Sequence, residues 1–134
     1  MINSKTVRRF LVFTGRALLL RCPRCGGRGI LRSWFRLGHS CPTCGLVLER
    51  GESEDYWIGG YTVNLVAAEL LGIGAIIAFI MATWPDVPWT LVEYGGVAVM
   101  IAIPIVFFPF SRTLWLAWDL LFRPSEKGDV ATGS

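Results

Sequence analysis

The sequence predicts a small membrane protein in which a short β module built on four cysteines precedes a two-helix transmembrane hairpin. Three observations carry that expectation. All four cysteines fall in two CPxCG units between Cys22 and Gly45. Two long stretches beyond residue 55 are almost wholly apolar and carry aromatic residues at their ends. Ten of the thirteen Lys and Arg lie in residues 1–50, so the net charge of +3 understates a basic N-terminal third. With 134 residues, 53% of them hydrophobic, there is room for one small domain.

Residues 1–20 form a basic arm, with Lys5, Arg8, Arg9 and Arg16 among Phe10, Leu11, Phe13, Leu18 and Leu19. Such a segment can lie as a helix at the lipid interface, with stems and rings dipping in while guanidiniums meet phosphates. The apolar run Phe10 to Leu20 is broken by Thr14, Gly15 and Arg16 and ends in a cysteine unit, which does not fit a cleaved signal peptide. The thiols are therefore expected in the cytosol, where metal binding is favoured over disulfides.

Residues 21–50 are the cysteine module. Gly29 to Leu37 is short, rich in β-formers and bounded by glycine, and predicts one strand. In it Leu31, Phe35 and Leu37 would face inward, while Arg32, Arg36 and Trp34 project outward. A second short strand is expected over Leu46 to Glu49. Glu49, Glu52, Glu54 and Asp55 form an acidic joint that reads either as a solvated linker or as a segment docked onto the ribbon's own arginines.

Residues 56–84 give the first span, flanked by Tyr56, Trp57 and Tyr61 at one end and Trp84 at the other. A bilayer core takes roughly 20 apolar residues in helix, with aromatic belts at both interfaces. After the turn Trp84-Pro-Asp-Val-Pro-Trp89, residues 91–122 form the second span, with Pro104 and Pro109 predicting a kink. The stretch after Arg112, interrupted by Asp119, is either a cytosolic continuation of that helix or a separate interfacial one. Arg112 and Asp119 would share a helix face. Residues 123–134 are a loose tail. The turn holds Asp86 and no basic residue, whereas both flanks hold arginines, so both termini and the cysteine module should be cytosolic.

Cys22-Pro-Arg-Cys25 and Cys41-Pro-Thr-Cys44 fit the C-x2-C-x15–20-C-x2-C spacing of a tetrathiolate site. Two residues between thiolates let a tight turn aim both sulfurs at one ion. Gly26 and Gly45 would supply the positive φ where the chain leaves each turn. The pattern predicts a four-cysteine zinc ribbon with Cys22, Cys25, Cys41 and Cys44 as ligands, iron being the alternative because the same sulfurs serve rubredoxin-like electron carriers. Four sulfurs close the shell, so no catalytic water and no enzymatic activity are expected. His39 reads as a surface turn residue rather than a ligand.

Two polar residues stand out within the first span. Glu69 is costly at membrane depth: it is a neutral acid bonded within the hairpin, a contact for a partner, or part of a proton path. Asn64 would serve helix packing. The pairs Ala68 and Gly72, Gly74 and Ala78, and Ala98 and Ala102 have the four-residue spacing that lets helices approach closely.

A basic lead-in to CPRCG, a second CxxCGL unit, the joint ERGESEDYWIGGY and two membrane helices together resemble the bacterial domain-of-unknown-function 983 family over roughly residues 17–123. The resemblance implies at most a role beside a bioenergetic complex of the inner membrane, and it brings no catalytic residues. The expected function is a non-catalytic accessory or assembly subunit of such a complex. Its cytosolic contact surface for partner or lipid would use Arg24, Arg28, Arg32, Trp34 and Arg36. A membrane-tethered iron electron carrier is the alternative. Nucleic-acid binding by the basic ribbon is a third, weaker reading, and no small-molecule substrate is expected.

Overall fold

The computed structural model describes residues 3–48 and 56–124. The chain runs α1 (Ser4–Leu18), β1 (Leu31–Ser33), β2 (Arg36–Leu37), α2 (Tyr56–Thr83) and α3 (Trp89–Phe122). The acidic joint, Glu49 and most of the expected tail lie outside the described residues.

The basic arm is a helix. Asn3 caps it by accepting the Lys5 amide at 3.3 Å, leaving one orphan donor fewer at the first turn. It closes on Leu20, at φ 55°, with the Arg21 amide returning to Arg16 O and the Leu20 amide to Ala17 O, both at 2.9 Å. That pairing is the Schellman closure, in which glycine normally takes the left-handed position. Only the C-terminal part of α1, from Phe13 onward, is packed. Ala17 is fully buried and its carbonyl accepts from Thr113 Oγ1 at 2.9 Å, while every residue from Ser4 to Val12 is exposed.

The single strand expected over Gly29 to Leu37 is instead a hairpin, with β1 and β2 antiparallel and Ser33 paired with Arg36 across a turn at Trp34 and Phe35. No glycine or asparagine marks this turn, and neither of its central residues needs a positive φ. The primed turns that announce a hairpin in sequence do need it. The expected strand at Leu46 reduces to one bridge, Ser40 with Val47, flanked by buried Leu46 and Leu48.

Helices α2 and α3 are both long and apolar enough to cross a membrane. They pack antiparallel along Gly60, Asn64, Ala68 and Gly72, the buried stripe of α2. Its four-residue spacing keeps one face toward α3. A side chain at Gly59 would overlap the Trp115 ring, and one at Gly72 would overlap Met100 Sδ. Of the small-residue pairs, Ala68 and Gly72 therefore serve the hairpin itself, while Gly74, Ala78, Ala98 and Ala102 face outward.

Residues 113–122 continue α3 without a break. At 34 residues the helix is about 51 Å long, well beyond the ~30 Å of a hydrocarbon core. Its final third carries the core of the molecule. Leu116 and Leu120 pack with Cys22, Ile30, Cys41, Leu46 and Leu48 on one side, and Leu114 and Ala117 pack with Ala17 on another. The cysteine module is thus built around the end of α3 rather than strung beside it.

Candidate metal centre

The two CPxCG units fold alike because each repeats the same backbone bonds. The Cys22 amide donates to Gly27 O at 2.9 Å and the Gly26 amide to Cys22 O at 2.8 Å; Cys41 to Leu46 O and Gly45 to Cys41 O follow at 2.8 and 2.9 Å. Gly26 at φ 77° and Gly45 at φ 73° let the chain leave each turn, as their places after the second cysteines predict.

These turns bring Cys22, Cys25, Cys41 and Cys44 together with all four sulfurs within 4.8 Å of one another. The Sγ atoms of Cys22 and Cys44, and of Cys25 and Cys41, are 3.7 Å apart. A tetrahedron of thiolates about 2.3 Å from a central ion has edges of roughly 3.8 Å, whereas a disulfide needs about 2.05 Å. The four thiols are free and could hold a metal ion. His39 is exposed and stands outside this group.

Burial and backbone dipoles compete at the sulfurs. Burial pushes the Cys22 thiol far above its ordinary value, against the Cys25 and Arg24 amides that favour the thiolate. Cys44 is also raised, again chiefly by burial. At Cys41 burial is outweighed by the amides of Cys44 and Thr43, and its value falls to about 7. Gly27 N–H adds a bond to Cys25 Sγ at 3.2 Å. Amides aimed at sulfur stabilise negative charge gathered on the cluster.

Arg16, which nothing in the cysteine spacing points to, holds the first unit from outside. Its guanidinium donates to Pro23 O at 3.1 Å and Arg24 O at 3.0 Å. Among the proposed contact residues, Arg24 and Arg28 are exposed beside the first unit, and Arg32 and Arg36 are exposed on the hairpin. Two neighbours depart from expectation. Phe35 is 53% exposed rather than turned inward, and its ring meets Phe108 edge-on at 5.3 Å. Trp34 does not simply project outward, because its Nε1–H donates to Ile105 O at 2.8 Å. Proline lacks an N–H, so Pro109 leaves the Ile105 carbonyl without its helical partner. The indole supplies that missing donor.

Asn64 is buried and donates from Nδ2 to Pro104 O at 3.1 Å, tying α2 to α3 near the same prolines. Glu69 lies exposed on the outer face of α2, and no described residue hydrogen-bonds to it. The geometry therefore does not support the bonded-within-the-hairpin reading. Buried Asp119 takes Arg123 as partner, at 2.7 Å, and the Arg112 guanidinium stands 5.3 Å over the Phe108 ring. No family model, curated protein or solved structure matches the chain.

Proposed function

We propose that the chain is a non-catalytic accessory or assembly subunit of a larger, bioenergetic complex in the bacterial inner membrane, with a structural zinc ribbon as its cytosolic contact surface. The observation that carries this reading is the packing of a closed tetrathiolate group directly onto the end of α3. Four sulfurs leave no position for substrate or water, so the ion serves as a fastener for a module too small to fold alone. Helices α2 and α3 expose Leu70, Ile73, Val97 and Ile101 all round. Helices apolar on every face belong in lipid or against other helices. Glu69, on that outer face and without a partner among the described residues, suits a basic or hydrogen-bonding group of a neighbouring subunit.

Zinc is favoured over iron because the acidic, aromatic-rich body of rubredoxins is missing. An electron carrier holding iron would be red, with a reversible one-electron couple; a zinc protein is colourless. The test of the accessory role is native purification from the source membrane with identification of co-purifying subunits. Cys22→Ser or Cys41→Ser should lose the partner while the hairpin still inserts. Partner binding that survives loss of the metal would overturn the mechanism.

A further inference from the structure

The bond between the hairpin tip and α3 fixes how deep the tip sits. Trp89 opens α3 at the far aromatic end, and Ile105 follows sixteen residues later, hence about 24 Å along the axis at the helical rise. Phe108, in contact with Phe35, lies about 28 Å along the same axis. Both points fall within the ~30 Å of hydrocarbon that begins at Trp89. A tip bonded there stands at the level of the acyl chains' cytosolic end, not in the cytosol.

The chemistry of the tip suits that level. Trp34 is 46% and Phe35 53% exposed, so each ring has one side on α3 and another free. Arg32 and Arg36 face outward, whereas Leu31 and Leu37 are half-buried and Leu37 packs against the core. Both arginines are exposed and no described residue pairs with either. The Arg112 guanidinium, over Phe108, stands one helical turn below the tip contact. The first 48 residues hold nine Lys and Arg and no Asp or Glu, which makes this part of the chain strongly basic. Tryptophan favours the headgroup boundary, and arginine there meets phosphate.

We propose that the hairpin tip is a membrane anchor: Trp34 and Phe35 insert among the acyl chains of the cytosolic leaflet, while Arg32 and Arg36 bind the phosphates of anionic phospholipids. This rests on the reading that α2 and α3 span the bilayer. It divides the expected contact surface in two, leaving Arg24 and Arg28 for a protein partner and giving the tip to lipid. Because the tip also completes the hydrogen bonding of α3 at Pro109, the anchor sets the metal module rigidly against the helix.

The full chain is reconstituted in nanodiscs of phosphatidylglycerol with phosphatidylcholine, with and without bromine on the acyl chains. The fluorescence difference between wild type and Trp34→Phe, which is Trp34's own emission, should disappear in the brominated discs. The differences for Trp84→Phe and Trp89→Phe report on the far end. If those are quenched and Trp34 is not, the span stands and the anchor is overturned. If none is quenched, the spanning reading fails and takes the anchor with it. Arg32→Gln with Arg36→Gln should keep the metal and lower the preference for phosphatidylglycerol over phosphatidylcholine by about fivefold per arginine. An unchanged preference overturns the headgroup site, and this arm decides that site even if Trp34→Phe fails to fold.

Discussion

Arg16 donates to the Pro23 and Arg24 carbonyls, so one residue of the basic arm fixes the turn that carries Cys22 and Cys25. Charged hydrogen bonds of this kind contribute about 1.5–3 kcal/mol, discounted here because Arg16 is only partly buried. Arg16→Ala should lower stability by about 1–2 kcal/mol in chemical denaturation. Arg16→Lys should recover only part, since both bonds leave the one terminal Nη1 and a lysine ammonium ends one atom short of it. Proton competition is a second residue-scale effect. Cys41, held near 7, is partly thiolate at neutral pH, whereas burial holds the proton on Cys22. The stability from the depressed Cys41 is lost as pH falls through about 7. A chelator should therefore strip the metal faster as pH drops below neutrality. The convergence of the four cysteines and the positive φ of Gly26 and Gly45 were legible from spacing, because a knuckle is a local structure. Arg16 was not, since its acceptors are placed by a chain reversal at Leu20 where the sequence has no glycine.

Trp34 and Phe35 turn a predicted strand into a hairpin, and the reason lies in the element's surroundings. Two aromatic residues lack turn chemistry of their own, so the turn is held by what it touches, Ile105 and Phe108. Such contacts lie some seventy residues away in the chain and leave no local period. The end of α3 is similar. Leu114 to Phe122 read equally as an interfacial helix or a continuation, because its apolar residues serve the cysteine module rather than lipid. Leu116→Ala removes a fully buried side chain beside Cys22, Cys41 and Ile30. It should cost about 3 kcal/mol, read as a shifted denaturation midpoint and faster metal loss to a chelator. An unchanged metal off-rate would show that the module folds without α3.

Across the whole molecule, module and helices share one core, so the metal site and the hairpin are not separable domains. The two long apolar helices were legible with bounds within a few residues, because length, composition and flanking aromatics are properties of the segment alone. Their outward faces were not. Only the packed stripe Gly60, Asn64, Ala68 and Gly72 shows that Glu69 points away from α3. The proposed topology predicts that a reporter inserted in the turn Pro85 to Trp89 behaves as exported; cytosolic behaviour would reverse it. The central claim, a closed metal centre that fastens a cytosolic module to a membrane hairpin, is tested most directly by metal analysis of the full chain purified from membranes in mild detergent. The account predicts a colourless protein with one zinc per chain, whose removal unfolds residues 21–48. A red iron–thiolate protein, or a module that stays folded without metal, would contradict it.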